Sequence, residues 1–107
     1  GARGVFATGI AIAIPRLYVG LIWDKSGVAT KEGLKVLGGV VDAGYRGEVM
    51  VALLNTSSET VLLIRGRKLA QMLIQPVVHP HIEIVDGELP AAEDERGEGG
   101  FGSTGLN

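Results

Sequence analysis

Apolar and polar positions along this chain repeat with a period of two far more often than with a helical period. Ile10, Ile12 and Ile14 alternate with small residues across Thr8 to Pro15, which predicts a strand closed by proline. Leu17 to Trp23 predicts a second strand and Gly33 to Leu37 a short third. Val40-Val41 and Val49 to Asn55 flank Asp42-Ala43-Gly44-Tyr45-Arg46-Gly47, whose two glycines predict a hairpin. Asn55 to Glu59 reads as a loop, Thr60 to Ile64 as a strand, and Arg65-Gly66-Arg67-Lys68 as a turn. Leu69 to Val78 is a long apolar run bounded by Pro76 or Pro80, and Ile82 to Val85 alternates again. Short strands with frequent turn signals predict an all-β sandwich or barrel, of the jelly-roll kind. Only Leu69 to Ile74 has a composition that suits a helix, and Gly66 and Pro76 confine it.

The composition narrows the class. With 107 residues, 46% of them hydrophobic, the chain is one domain with a modest core. A net charge of −2 without a basic block speaks against a nucleic-acid partner or an anionic membrane surface. The absence of cysteine rules out disulfides and thiolate metal sites. No apolar run approaches membrane-spanning length and no secretory signal is visible, so a cytoplasmic location is expected. Gly1-Ala2-Arg3-Gly4 carries no initiator methionine.

The C-terminal stretch differs from the rest. Gly87 to Gly100 is acidic and glycine-bearing, and Arg96-Gly97-Glu98-Gly99-Gly100-Phe101-Gly102-Ser103-Thr104-Gly105 cannot build a core. Glycines let amides approach anionic oxygens. Arg96 offers a planar fork for phosphate, Phe101 a flat face for a base, and Ser103 and Thr104 two hydroxyls. A flexible linker is the plain alternative. The expected division is therefore a β-barrel core over residues 1–86 and an arm with a glycine-rich lid over residues 87–107.

Four segments share an order and spacing. They are Trp23-Asp24-Lys25-Ser26-Gly27-Val28-Ala29, Gly39-Val40-Val41-Asp42-Ala43-Gly44-Tyr45-Arg46-Gly47-Glu48, Gly66-Arg67-Lys68-Leu69-Ala70-Gln71, and the tail from Arg96 to Gly105. Together they resemble motifs two to five of the trimeric dUTP diphosphatases, the dUTPases. The resemblance implies a distorted jelly-roll β-barrel, a homotrimer with shared sites, and hydrolysis of dUTP to dUMP and pyrophosphate with Mg2+ held mainly by phosphates and water. By itself Asp42 is either a turn aspartate bonding its own backbone or a carboxylate that holds a water and takes its proton. The resemblance assigns it the second role, in attack on the α-phosphorus.

The remaining roles come from the same source. Tyr45 would pack under the deoxyribose and exclude a 2′-hydroxyl, while Gly39 and the backbone after it would read uracil. Ser26, Gly27 and Gln71 would meet phosphate, with Lys25 in the place of the usual arginine. Phe101 would stack on the base, Arg96 would meet the terminal phosphate, and Gly102, Ser103 and Thr104 would close over the phosphates. Trp23-Asp24 replaces the usual small or proline pair, and Arg67-Lys68 an acidic-then-basic one. Arg65, Arg67 and Lys68 alternatively form only a solvated turn. Arg46 is expected to be a structural or intersubunit ion-pair residue, and His79 and His81 to be surface residues rather than metal ligands. The family's first motif, an alanine-glycine-tyrosine-aspartate-leucine type segment, is absent: the chain is expected to be truncated, which the missing methionine favours, or to be a naturally shortened homologue, or to receive that segment from elsewhere. Two other functions share these features: a dUTPase-like nucleotide-binding or regulatory module with little turnover, and a dCTP deaminase-type enzyme.

Overall fold

Val49, Val51 and Leu53 point inward from one strand, and the residues between them point out or sit half-buried. That strand, β5 (Glu48–Asn55), is the centre of one sheet. The computed structural model describes residues 1–93. In chain order the other elements are β1 (Arg3–Ala11), β2 (Tyr18–Asp24), α1 (Ser26–Glu32), β3 (Leu34–Leu37), β4 (Val40–Val41) and β6 (Ala70–Pro76). Two three-stranded antiparallel sheets result, ordered β1-β5-β3 and β4-β2-β6. Their inner faces enclose Ile14, Ile22, Val28, Leu34, Val36, Val41, Val49, Val51 and Leu53. The architecture is the jelly-roll type that the alternation predicts.

Several elements depart from expectation, each for a physical reason. The first strand begins at Arg3 and ends at Ala11, so Ile12 and Ile14 leave the sheet. Ile14 still becomes the most buried core residue, at 2% exposure, because Gly20 of β2 leaves it room: a Cβ there would lie 2.8 Å from Ile14 Cδ1. A bulge between Ala7 and Ala11 redirects β1. Within it the Gly9 N–H, at φ 74°, donates to Glu48 Oε2 at 2.7 Å, and Thr8 Oγ1 donates to the Val49 carbonyl at 2.7 Å.

The expected hairpin is not a paired hairpin. β4 pairs with β2, and β5 pairs with β1 and β3, so Asp42 to Gly47 carries the chain from one sheet to the other. Thr60 to Ile64 and Ile82 to Val85 are not strands either. In the first, Val61 and Leu63 pack on the core while Leu62 and Ile64 are exposed, so the alternation records facing without a hydrogen-bonded ladder. The helix-compatible stretch Leu69 to Ile74 lies almost wholly in β6.

The helix that does form, α1, contributes only Val28 to the core and has no side-chain N-cap. Its end is fixed instead by Gly33 at φ 72°, whose N–H reaches the Ala29 carbonyl at 3.0 Å. Thr56 then binds the Gly33 carbonyl through both its amide, at 2.8 Å, and its hydroxyl, at 2.6 Å. After β6 the amide of Val77 still reaches the Leu17 carbonyl, and the described residues from Val78 onward are exposed.

Candidate functional site

The expected site residues among those described fall into two groups, one around the Asp42 turn and one where α1 begins. The first surrounds the Asp42 turn. The Tyr45 N–H donates to the Asp42 carbonyl at 3.1 Å and closes a β-turn. The Tyr45 hydroxyl donates to the Glu48 carbonyl at 2.6 Å, which fixes the ring against the turn. Gly47 makes this possible, since a Cβ there would lie 2.6 Å from that hydroxyl. Arg46 folds back and donates to the Ala43 carbonyl at 2.6 Å, a structural role within its own turn. Ala43 packs on the core and anchors the loop.

Gly39 joins this group through the neighbouring strand. Its carbonyl accepts the Ile22 N–H at 2.8 Å. Its φ is 103°, and a Cβ would lie 2.7 Å from the Ile22 carbonyl oxygen, so only glycine fits there without a backbone shift. The result is a cavity of about 210 Å³ lined by Ile22, Gly39, Val40, Val41, Asp42, Tyr45, Val49 and Met50. Among the described residues no side chain or amide hydrogen-bonds the Asp42 carboxylate; only its backbone carbonyl serves the turn.

The second group lies at the junction of β2, α1 and β6. Lys25 is the N-cap of α1, and Ser26 and Gly27 are its first residues, both exposed. Gln71 pairs in register with Trp23, and its Nε2 donates to the Asp24 carbonyl at 2.7 Å. Gln71 therefore sits beside the backbone that leads into Lys25 and Ser26. The lining of the Asp42 cavity includes none of Lys25, Ser26, Gly27 or Gln71.

This junction also contains residues that pattern reading missed. Asp24 Oδ2 accepts from Lys35 Nζ at 2.6 Å, and Asp24 Oδ1 accepts the Val36 N–H at 2.7 Å. The hydrogen bond from Lys35 is the main reason that the Asp24 carboxyl titrates below its ordinary value; burial opposes the shift, and the Val36 amide and the Lys35 charge add to it. Arg67 is not a solvated turn residue, since its guanidinium donates to the Glu32 carboxylate at the end of α1. That bond, against a smaller opposing effect of burial, lowers the Glu32 carboxyl as well. The one available signal was the departure from pattern at Asp24 and Arg67 themselves. Arg96, Phe101, Gly102, Ser103 and Thr104 lie outside the described residues.

The dUTPase family profile matches residues 1–105. The chain belongs to the dUTPase family. A deoxyuridine 5′-triphosphate nucleotidohydrolase of Mycolicibacterium gilvum is 44% identical over 110 residues, covering 98% of this chain and 71% of the relative. A variant dUTPase of Staphylococcus bacteriophage 80alpha, solved with dUpNHpp, matches with a TM-score of 0.85 at 28% identity, covering 98% of this chain and 77% of that one. A variant dUTPase of phage phi11 of S. aureus, described as coordinating a structural Mg(II) ion, matches with a TM-score of 0.70 at 28% identity over 80% of this chain and 73% of that one. Among the described residues no helix is long and apolar enough to cross a membrane.

Proposed function

We propose that this chain hydrolyses dUTP to dUMP and pyrophosphate, with a water held by Asp42 attacking the α-phosphorus. The observation that carries this reading is the cavity built by Gly39, Asp42 and Tyr45, in which the carboxylate is left free by its own turn. A carboxylate that accepts no protein hydrogen bond keeps its lone pairs for a water and for the proton that leaves it. The Tyr45 hydroxyl donates to the Glu48 carbonyl, and in this reading the ring so held packs under the deoxyribose and leaves no space for a 2′-hydroxyl. The backbone from Gly39 onward reads uracil, and a narrow wall there excludes a 5-methyl group.

The triphosphate runs to Lys25, Ser26, Gly27 and Gln71, and the tail residues Arg96, Phe101, Gly102, Ser103 and Thr104 close over base and phosphates. The tail assignments rest on the sequence resemblance alone. The resemblance to trimeric dUTPases supports reading the Asp42 cavity and the Ser26–Gln71 junction as parts of a site completed between copies. A homotrimer supplies that. It also offers cover for Ile82, Ile84 and Leu89, which are 84%, 98% and 78% exposed here.

The same reading takes the metal to be a magnesium ion that comes with the triphosphate. Among the described residues no three His, Asp or Glu side chains gather to hold a metal, and an ion coordinated mainly by phosphate oxygens and water needs no such cage. Bound to the triphosphate, it would supply charge neutralisation on the phosphates. The test is hydrolysis of dUTP, dCTP and UTP side by side. Pyrophosphate release from dUTP alone is expected. Release of ammonia from dCTP would assign a deaminase, and dUTP binding without turnover would assign a binding module.

A further inference from the structure

One residue ties together the elements that carry Ser26 and Gln71, and the motif pattern gives it no role. Asp24 ends β2, two positions before Ser26. Each of its three acceptor oxygens serves a different partner. The backbone carbonyl takes the Gln71 amide of β6 at 2.7 Å, Oδ1 takes the Val36 amide of β3 at 2.7 Å, and Oδ2 takes the Lys35 ammonium at 2.6 Å. At the other end of α1, Glu32 pairs with Arg67 in the turn leading to β6. The short helix is thereby held at both ends against strands it does not otherwise pack on deeply, since Val28 is its only buried residue.

Trp23, Asp24 and Lys25 lead directly into Ser26, so the cation before the serine is a lysine. Lysine is a point charge on a flexible stem and lacks the fork that fixes its own approach to phosphate. A less directive cation leaves more of the geometry to the frame that holds the other contacts. We propose that Asp24 is a positioning residue for the triphosphate: through Lys35, Val36 and Gln71 it sets where Ser26 and Gln71 stand relative to each other. This rests on the reading that Ser26 and Gln71 meet phosphate.

Titration calorimetry of the full chain with dUpNHpp and with dUMP tests it. Asp24→Ala is expected to weaken dUpNHpp by about ten-fold, the scale of a charge-assisted contact. Binding of dUMP, governed by the Asp42 cavity, is expected to stay within about two-fold, as for sites without shared partners. Asp24→Asn loses less, because its Oδ1 can still accept the Val36 amide, and Lys35→Met shows the same selectivity. These two variants decide the question if Asp24→Ala does not fold. Equal weakening of both ligands in Asp24→Asn and Lys35→Met would make Asp24 merely structural and overturn the proposal. Unchanged dUpNHpp binding in the Asp24 variants, with Ser26→Ala and Gln71→Ala weakened, overturns the proposal and leaves the phosphate reading standing. Wild-type dUpNHpp affinity in Ser26→Ala and Gln71→Ala removes the phosphate reading, and the proposal with it.

Discussion

The Asp42 cavity and the Ser26–Gln71 junction are built by opposite means. The cavity is almost entirely local backbone: a turn closed by Tyr45 on Asp42, a ring held by Glu48 three residues away, and Arg46 folded onto Ala43. Its distant ties are also backbone ones, Gly39 to Ile22 and the pairing of Val40 and Val41 with Leu21 and Gly20. The junction joins the start of α1 to the paired strands β2 and β6, and side chains from far along the chain tie it together, Lys35 to Asp24, Arg67 to Glu32 and Gln71 to Asp24. A region of the first kind tolerates salt and pH but not a change of backbone shape. A region of the second kind is sensitive to charge, and its partners change together.

The largest expected effect falls on the carboxylate of the local region. Asp42→Asn keeps the turn, because the turn uses the carbonyl, and loses the group that takes the proton. Turnover of dUTP is expected to fall by roughly 10² to 10⁴, the range for loss of a general base, with dUpNHpp binding retained. Steady-state kinetics and calorimetry measure both, and near-normal turnover would remove Asp42 from the chemistry.

Tyr45→Ala should act on selectivity more than on rate. Removing the ring opens space for a 2′-hydroxyl, so the preference for dUTP over UTP should narrow by about 10- to 200-fold, the scale of one group in a fitted pocket. The ratio of kcat/KM values for the two nucleotides is the measurement. An unchanged ratio would show that the sugar is selected elsewhere.

Gly39→Ala and Gly44→Ala compare two glycines of the same region. Alanine at 39 must adopt φ near 103° and meet the Ile22 carbonyl at 2.7 Å. Unfolding stability should drop by about 1 to 3 kcal/mol. Position 44 has nothing within 4 Å and no positive φ, so Gly44→Ala should change stability by less than about 0.5 kcal/mol. Urea unfolding at one protein concentration compares them, and equal losses would contradict the local account of the cavity.

The same contrast explains what could be read from the sequence. That Gly39, Asp42 and Tyr45 lie around one cavity was legible because a local turn keeps its residues contiguous, whereas their roles came from the resemblance. The alternation of Val49, Val51 and Leu53 gave the core strand for a similar reason. The partition into sheets was not legible: short apolar pairs such as Val40-Val41 do not state which strand they join, and β4 joins β2 rather than β5. α1 escaped notice because it has one buried residue and a glycine near its start, so tertiary ties hold it rather than propensity. Asp24, Lys35, Glu32 and Arg67 were invisible as pairs because each partner lies 11 or 35 positions from the other.

The smallest effect is the one that tests the charge side of the comparison. Asp24 has a folded-state carboxyl below its ordinary value, 3.8, chiefly through the hydrogen bond from Lys35. A group depressed in the folded state adds stability that is complete above its unfolded value and is lost as pH falls through its folded value. The stability gap between the wild-type chain and Asp24→Asn should therefore be constant from about pH 7 down to about pH 5. Below about pH 4 it should shrink, as the wild-type carboxylate takes up a proton and the ion pair is lost. The pair is partly open to solvent, with Lys35 half-exposed, so the whole gap should be small and should narrow further in about 1 M salt. Glu32, lowered by Arg67, has the same sign, and Glu32→Gln should give a parallel curve. Urea unfolding at low ionic strength across this range reads all three proteins. A gap that widens as pH falls would mean that the carboxylate is destabilising in the folded chain, and the junction would then be held by packing rather than by charge.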